Sequence, residues 1–537
     1  MTDKQPIYIL PENVQRMLGR DAQRNNILAA RMVADTVKTT LGPRGMDKML
    51  VDSMGNITIT NDGVTILEEI EIEHPAAKML VEVAKTQEDA VGDGTTTAVV
   101  LAGKLLENAE KLLDQKIHST VITKGYNLAA EKSLEILQRL ATKIGKDEDK
   151  LKSIAMTAMT GKSAETAKEK LAQIIAKAVS QVMEQDERGI TVDLENIKIE
   201  KRKGGGIDDT ELIEGIVLDK EKAHSDMPSL VKNAKIALLD AALEIKGPET
   251  DTKISISAPE QLQAFIDQEE TILKNMVEKV KRSKANVLFC QKGIDDVAQY
   301  YLTKAGIYAV RRISKSDMEK LSRATGGKII SNLNELMEND LGKANTVEEV
   351  KKGNEGMTYV RGCQNPKALT ILIHGGTEHV IDEIERAIRD GLGDVAATLQ
   401  DGKIVAGGGA IEVELARQLR KELTVKGREQ LAVEQFADAI ECIPKILAEN
   451  AGMDPIDVIT ELKSRHENNE PHAGLNLFDN KIEDTMARGI IEPLKIKTQA
   501  IKSASEVAIM LLRIDDVVAS SNKSQPSQMP PGMGGYD

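Results

Sequence analysis

The sequence predicts a multidomain protein in which mostly helical ends flank an α/β centre. The chain has 537 residues, and at roughly 100–200 residues per domain this length suggests about three domains. Apolar residues recur near helical spacing through residues 15–150 and again from residue 380. Between residues 215 and 365, short apolar runs alternate with helical patterns instead. That alternation is typical of an α/β domain.

The N-terminal part is predicted to be helical with one interruption. Apolar residues from Val14 to Val33, including Met17 and Leu18, follow helical spacing. Residues 41–45 (LGPRG) break the pattern, and residues 49–51 and 57–60 are predicted to be short strands. Near the other end, a helical pattern leads up to Asp390, which is expected at the end of that helix.

Two further segments differ from their surroundings. Between Leu239 and Ala285, a polar stretch at 246–251 precedes a long helical pattern. This insertion is either an ordinary packed helix or a helical arm that projects from the domain. Residues 520–537 are rich in Ser, Gln, Pro, Gly and Met, and such a segment is expected to form a flexible tail.

Composition excludes several classes of protein. The net charge is −14, which argues against a protein that binds nucleic-acid backbones. Cys290, Cys363 and Cys442 are far apart in the sequence and form no CxxC spacing. They therefore argue against a disulfide framework or a thiolate metal site, and favour a reducing, cytoplasmic compartment. No apolar run approaches the roughly 20 residues that span a bilayer.

The strongest local motif is GDGTTT at residues 92–97, directly before an apolar helical pattern. A helix N-terminus offers free N–H groups to phosphate, and glycine lets the backbone approach a ligand closely. Asp93 adds a hard oxygen ligand of the kind that Mg²⁺ uses. The alternative is an ordinary helix N-cap with spare threonines. From the residues alone, both interpretations stay open.

Other segments carry weaker signals. Residues 61–65 (NDGVT), 41–43 (LGP) and 407–409 (GGG) are first of all turn or loop signals. Residues 161–163 (GKS) end like a phosphate-binding P-loop, but Met156 stands where that motif requires glycine. Taken alone, Asp390 is expected to be a solvated surface carboxylate.

Taken together, these motifs resemble the chaperonin family. Residues 60–67 and 92–97 look like its two nucleotide-site signatures, and residues 40–43 and 406–409 look like its glycine contacts. The stretches similar to the group II branch, found in archaea and the eukaryotic cytosol, are residues 74–80, 287–296, 492–497 and 511–516. The resemblance extends from about Pro11 to Val518.

The resemblance implies the chaperonin fold, with a mostly α equatorial domain and α/β intermediate and apical domains. The implied boundaries are 1–147 and 403–519 for the equatorial domain, 148–214 and 367–402 for the intermediate domain, and 215–366 for the apical domain. A helical protrusion at about 240–280 would act as a built-in lid, and residues 520–537 would form the tail.

The resemblance also implies roles for individual residues. Asp62 and Asp390 would orient the attacking water, with Asp390 arriving from the intermediate domain, and Asp93 would hold Mg²⁺. The expected nucleotide contacts are Leu41, Gly42, Pro43, Gly94, Thr95, Thr96, Thr97, Thr160, Gly161, Lys162, Gly408, Asn476, Glu492 and Lys497.

The implied function is ATP-driven protein folding in a double-ring chamber. ATP and Mg²⁺ would be the cofactors. Non-native polypeptides would be the clients, and identical or homologous subunits would form two stacked rings of eight, with no nucleic acid and no membrane involved. One alternative is an ATP-dependent enzyme that acts on a small molecule. The other alternative is a structural ring subunit whose nucleotide site is inactive. The retained Asp62, Asp93 and Asp390 argue against it.

Overall fold

A computed structural model describes residues 14–145, 147–161, 167–187, 189–245, 259–352, 355–364 and 366–520. The first elements are β1 (Val14–Leu18), α1 (Gly19–Lys38), β2 (Lys48–Val51), β3 (Ile57–Thr60), α2 (Gly63–Glu69), α3 (Pro75–Val91), α4 (Thr95–Asp114), α5 (Ser119–Leu140) and β4 (Thr142–Lys143). The middle elements are α6 (Glu148–Ala158), α7 (Lys168–Val182), β5 (Glu184–Asp186), β6 (Gly189–Thr191), β7 (Ile197–Lys203), β8 (Glu211–Ile213), β9 (Gly215–Leu218), β10 (Leu230–Leu239), α8 (Pro259–Arg282), β11 (Val287–Cys290), α9 (Asp296–Lys304), β12 (Tyr308–Val310), α10 (Lys315–Thr325), β13 (Ile329–Ile330), β14 (Gly342–Lys352), β15 (Glu355–Arg361), β16 (Leu369–Gly375) and α11 (Glu378–Asp401). The last elements are β17 (Lys403–Ala406), α12 (Ala410–Glu422), α13 (Glu429–Ile440), α14 (Cys442–Asn450), α15 (Pro455–Glu467), β18 (Ala473–Asn476), β19 (Lys481–Asp484), β20 (Ile491–Pro493), α16 (Leu494–Leu512) and β21 (Asp516–Ser520).

Both ends of the chain fold into one body, the helical unit, which contains the elements from β1 to β4 and from β17 to β21. Its core mixes residues from the two ends. Tyr126 of α5 and Phe436 of α13 are both fully buried, with ring centroids 5.5 Å apart in an edge-to-face contact. The helix α16 packs against α3, α4 and α5. The predicted helical character of the two ends is therefore confirmed for most of their length.

One segment at the start of the helical unit differs from the prediction. Residues Val14–Leu18 form the strand β1 rather than the start of a helix. The strand forms because it pairs antiparallel with β21, the last described element of the chain. Local apolar spacing could not reveal this partner, because it lies at the opposite end of the sequence. The strands predicted at 49–51 and 57–60 are confirmed as the hairpin β2–β3.

The connecting unit contains α6 to β8 together with β16 and α11, so the chain enters it twice. The helices α7 and α11 pack on the sheet β7-β16-β8, around buried residues such as Leu171, Ile371 and Ile388, and α6 packs against both helices. The prediction that a helix ends at Asp390 is wrong, because α11 continues to Asp401. The following residue, Gly391, stays helical and lets α11 pack closely. A Cβ atom there would lie 2.8 Å from Cδ1 of Ile175.

The central unit, from β9 to β15, confirms the α/β prediction for the middle of the chain. Its seven-stranded sheet has the order β12-β11-β10-β14-β15-β9, with β13 also paired to β10. In α8, Leu273, Val277 and Val280 are buried, whereas Phe265 and Ile266 nearer its start are exposed. The polar stretch predicted at 246–251 lies outside the described residues, as does most of the predicted tail.

No helix within the described residues is long and apolar enough to cross a bilayer.

Candidate functional site

A cavity of about 430 Å³ lies between the helical unit and the connecting unit. Segments that are far apart in the sequence meet around it: the turns after α1 and β3, the loop before α4, the glycine turn before α12, the strand β18 and the start of α16. The connecting unit adds residues from the end of α6, the start of α7 and the middle of α11. The cavity thus has two walls, one from each unit.

The loop before α4 forms one edge of the cavity. Gly92 and Gly94 both adopt left-handed backbone angles, with φ of 92° and 78°. Gly94 is the N-cap of α4, and no side chain caps this helix. The cap is therefore not one of the threonines, which instead occupy the first turn and line the cavity. An uncapped helix N-terminus beside a cavity suits the binding of phosphate.

Asp62 ties the neighbouring turn to this loop. It is the N-cap of α2, where its Oδ2 accepts hydrogen bonds from the backbone N–H of Thr65 at 2.8 Å and from the Thr65 hydroxyl at 2.7 Å. Its Oδ1 accepts a longer hydrogen bond from the hydroxyl of Thr95 at 3.4 Å. The turn predicted at 61–65 is therefore both a structural cap and part of the cavity wall.

Gly42 and Gly408 bring two further backbone segments close to the cavity. Both have positive φ, 83° and 64°. A Cβ atom on Gly42 would collide with Leu447, and a Cβ atom on Gly408 would lie 2.5 Å from the carbonyl oxygen of Leu475. Only glycine fits these two positions without displacement. The backbone therefore forms this part of the wall directly.

An ion-pair cluster of the buried Lys497 and Glu412 and the half-buried Glu492 lies at another part of the cavity wall. The Nζ atom of Lys497 lies 2.8 Å from Oε1 of Glu412 and 2.6 Å from Oε2 of Glu492. Burial raises the pKa of the Glu492 carboxyl; the Lys497 ammonium opposes this, and the Glu412 carboxylate adds to it. Burial alone would lower the pKa of Lys497, but the two carboxylates outweigh it and raise this pKa.

Asn476 lies near that cluster, at the end of β18. Its Nδ2 donates hydrogen bonds to Oε1 of Glu483 at 2.6 Å and to Oδ2 of Asp479 at 3.3 Å. Its Oδ1 accepts from the backbone N–H of Phe478 at 3.1 Å. The Asn476 side chain thus shapes the turn that places Leu477 and Phe478 on the cavity wall.

The connecting unit supplies the second wall of the cavity. The Asn61 side chain donates a hydrogen bond to the carbonyl of Gly161 at 3.1 Å. The Lys168 Nζ contacts the hydroxyl of Thr160 within the connecting unit and lies 5.5 Å from the centroid of the Phe478 ring. The contacts of Asn61 and Phe478 join the two units.

The helix α11 brings Asp394 to the cavity rather than Asp390. Asp394 is only 2% exposed and lines the cavity, whereas Asp390 is partly exposed and is not among the lining residues. Gly393 allows α11 to approach the loop before α4, since a Cβ atom there would lie 2.5 Å from the carbonyl oxygen of Val91. Asp394 lies one helical turn after Asp390, on the same face of α11.

Most of the predicted site residues therefore meet in one place. Those that line the cavity are Leu41, Gly42, Pro43, Asp62, Asp93, Gly94, Thr95, Thr96, Thr97, Thr160, Gly408, Asn476, Glu492 and Lys497. Gly161 packs against Pro43 at its edge, Asp390 lies outside it, and Lys162 falls outside the described residues.

The structure also adds residues that the sequence did not indicate. Asn61, Lys168, Asp394, Phe478 and Arg488 line the cavity without belonging to a predicted set. Only Asn61 stands within a predicted motif. The others come from segments whose local pattern carries no sign of a ligand, although Asp394 shares a helix face with Asp390.

The residues present fit a magnesium nucleotide. The free N–H groups at the start of α4 suit phosphate oxygens, and Asp93 beside them offers a carboxylate. Mg²⁺ bound to a nucleotide usually takes one or two carboxylates and completes its shell with phosphate oxygens and water. Glu492 and the turn at Asn476 offer hydrogen-bond acceptors at the other end of the cavity.

The chain matches a known protein family and several known proteins. Residues 33–522 match the TCP-1/cpn60 chaperonin family. The chain belongs to this family. This chaperonin is 60% identical over 525 residues to a thermosome subunit of Methanopyrus kandleri, a match that covers 97% of this chain and 96% of the relative. It is 59% identical over 518 residues to the thermosome subunit beta of Archaeoglobus fulgidus, covering 96% and 95%.

A solved structure supports the same assignment for the fold. The chaperonin is similar to the open-state monomer of a group II chaperonin from Methanococcoides burtonii, with a TM-score of 0.59 and 51% sequence identity. The match covers 79% of this chain and 100% of that one. The predicted chaperonin fold and its group II branch are therefore confirmed. Chaperonins assist protein folding, and members of the family bind nucleotide and hydrolyse ATP.

Proposed function

We propose that this chaperonin binds Mg·ATP in the cavity between the helical and connecting units and hydrolyses it to drive the folding of other proteins. The observation that carries the proposal is the convergence of an uncapped helix N-terminus, Asp62 and Asp93 on one cavity. Hydrolysis of a phosphoanhydride needs positioning and charge neutralisation more than covalent help from the protein. This cavity offers the groups for both.

Each group has a proposed role in the reaction. The first turn of α4, from Thr95, and the backbone at Gly42 hold the phosphates, and Asp93 holds Mg²⁺ when the nucleotide is bound. Asp62 and Asp390 orient the attacking water. Glu492 and Asn476 face the ribose and base, and Lys497 holds Glu492 in place through its ion pair of 2.6 Å.

The position of Asp390 links hydrolysis to a movement. Asp390 lies outside the cavity, on a helix of the connecting unit that also carries the cavity-lining Asp394. A shift of this unit toward the helical unit would bring Asp390 into the site. Domain closure that completes a catalytic site is a common way to couple hydrolysis to a change of shape.

The proposal includes an assembly and its clients. The helical, connecting and central units correspond to the equatorial, intermediate and apical domains of the chaperonin fold. In the central unit, the exposed Phe265 and Ile266 at the start of α8 support a projecting lid that contacts non-native chains. Archaeoglobus fulgidus has relatives named alpha and beta, which supports rings of homologous subunits, here two stacked rings of eight.

Purified protein tests this function directly. We expect Mg²⁺-dependent ATP hydrolysis, double rings in negative-stain images, and recovery of a denatured test protein that requires ATP. A particle far below the megadalton range that consumes ATP only with a small-molecule acceptor would instead support the alternative enzyme. A ring without ATP hydrolysis would support a purely structural subunit.

A further inference from the structure

Gln87 is a fully buried amide that contacts two of the segments lining the nucleotide cavity. It lies on α3, one turn before the helix ends. Its Nε2 donates a hydrogen bond to the backbone carbonyl of Asp93 at 2.9 Å and another to the backbone carbonyl of Ile496 at 3.3 Å. One side chain thus joins the loop before α4 to the first turn of α16.

The orientation of this amide is fixed by its partners. Both partners are carbonyl oxygens, which only accept hydrogen bonds, so the NH₂ group must face them. Turning the amide around would place its oxygen against two other oxygens in a buried site. A carboxylate at the same position would carry that repulsion permanently, together with an unpaired charge.

One of the two carbonyls belongs to a residue with a proposed role in the site, and the other belongs to the residue directly before one. Asp93 is the proposed Mg²⁺ ligand, and its carbonyl belongs to the peptide that leads into Gly94, the N-cap of α4. Ile496 directly precedes Lys497, whose ammonium holds Glu412 and Glu492. Gly94 is closely packed against both Ile496 and Gln87: an added Cβ atom would lie 2.6 Å from Cγ2 of Ile496 and 3.0 Å from the Nε2 of Gln87.

We propose that Gln87 is a positioning residue that holds the Mg²⁺-binding loop in register with the ribose end of the cavity. This inference rests on the proposed ATP site and adds a residue that touches neither nucleotide nor metal. Without the amide, the peptide between Asp93 and Gly94 can rotate, and the Asp93 carboxylate loses its fixed direction. Partners that orient a metal ligand typically contribute about 10- to 100-fold in metal affinity.

The test compares two variants in which an amide becomes a carboxyl group of the same size. Gln87→Glu removes the NH₂ group that donates hydrogen bonds to the carbonyls of Asp93 and Ile496. Asn108→Asp is the matched control, because Asn108 is also buried and its Nδ2 donates to a backbone carbonyl, that of Gln435, at 2.9 Å, but it lies outside the cavity. Both variants are measured as assembled particles in two ways: by calorimetric titration of ATP binding at increasing Mg²⁺, and by titrating ATP hydrolysis with Mg²⁺. The Mg²⁺ midpoint of binding should move with that of hydrolysis.

We expect Gln87→Glu to raise the Mg²⁺ concentration for half-maximal hydrolysis by about 10-fold or more, with a smaller change in the rate at saturating Mg²⁺. Asn108→Asp loses its donor to Gln435, but its carboxylate can pair with Lys111, whose Nζ already lies 3.0 Å from Oδ1 of Asn108. It should leave the Mg²⁺ titration at its wild-type midpoint. The deficit of Gln87→Glu relative to wild type should shrink as the pH falls, because a protonated carboxyl group can donate one of the two hydrogen bonds again.

A wild-type Mg²⁺ midpoint in Gln87→Glu would overturn the inference, and so would an equal shift in Asn108→Asp. If Gln87→Glu does not assemble, Gln87→Asn replaces it. The shorter amide cannot reach both carbonyls and should shift the midpoint in the same direction, and a wild-type midpoint there would also overturn the inference. Failure of the wild-type protein to hydrolyse Mg·ATP would contradict the proposed function instead.

Discussion

The two walls of the nucleotide cavity are built differently. The wall from the helical unit consists of backbone segments packed without spare room, as at Gly42 and Gly408, where an added Cβ atom would collide with a neighbour. The wall from the connecting unit meets it through side-chain contacts, such as the hydrogen bond of Asn61 to Gly161 and the cation–π contact of Lys168 with Phe478, and through close backbone approaches at Gly161 and Gly393. In the proposed mechanism, the first wall holds the nucleotide and the second moves with the connecting unit during the reaction.

Asp390→Ala should have the largest effect, because it removes the carboxylate that is proposed to enter the site when the connecting unit moves. We expect ATP binding to be retained while the hydrolysis rate falls by about 100-fold or more, the range of positioned acid–base groups. The control is Asp401→Ala, which removes an exposed carboxylate from the same helix. Wild-type turnover in Asp390→Ala would show that this role is wrongly assigned.

Asp93→Ala should affect the fixed wall and therefore binding itself. Loss of the metal ligand should weaken the affinity for Mg·ATP by about 10-fold or more, which corresponds to at least about 1.4 kcal/mol. Calorimetric titration with and without Mg²⁺ measures this change. Asp89→Ala removes an exposed carboxylate from the neighbouring helix α3 and should leave the affinity unchanged. Mg²⁺-dependent binding that survived in Asp93→Ala would contradict the assignment.

Gly94→Ala tests how tightly the fixed wall is packed. The variant combines a left-handed backbone with a collision against Ile496, so we expect a loss of about 1–3 kcal/mol in stability and weaker nucleotide binding. Gly326→Ala has a similar φ of 74° but meets no atom within 4 Å. It should show the backbone strain alone, and its nucleotide affinity should equal that of wild type. Equal effects on binding in the two variants would argue against the close packing.

The helical unit should also lose stability in acid, through Glu414 of α12. Burial raises the pKa of this carboxyl, but hydrogen bonds from His466, Arg417 and Gln418 outweigh it and lower the pKa to about 2. A lowered pKa means that Glu414 stabilises the fold above about pH 4.5, the ordinary value, and that this contribution fades as the pH falls toward 2. Thermal unfolding of wild type and Glu414→Gln should therefore differ at neutral pH and converge in acid. A difference that stayed constant with pH would contradict this.

Phe478→Leu should have the smallest effect, because it removes one contact between the walls. The loss of the cation–π contact with Lys168 should cost about 0.5–1 kcal/mol. We expect this cost to change the hydrolysis rate by a few-fold, with little change in the affinity for ATP. Tyr300→Leu, at an exposed tyrosine on α9 whose ring centroid lies 4.9 Å from the Nζ of Lys304, is the control and should leave hydrolysis unchanged. A large loss of affinity in Phe478→Leu would place this residue in the fixed wall.

The sequence predicted the fixed wall far better than the moving one. Gly94 and its threonines stand in one short motif whose local chemistry suggests phosphate binding. The glycines at 42 and 408 stand in motifs that indicate only turns when taken alone, and the resemblance to chaperonins assigned them to the site. The strand β1 could not be predicted, because its partner β21 is at the other end of the chain. Asp394 and Gln87 were missed for the same kind of reason: α11 and α3 reach the cavity only through tertiary packing, and neither residue stands in a ligand motif.

The most direct test is an experimental structure of the assembled particle with Mg²⁺ and a non-hydrolysable ATP analogue. We expect the phosphates against the first turn of α4, the metal at Asp93, and Asp390 drawn toward the phosphates by movement of the connecting unit. A nucleotide bound elsewhere, or one bound here with its phosphates away from Gly94 and Thr95, would contradict the proposed site.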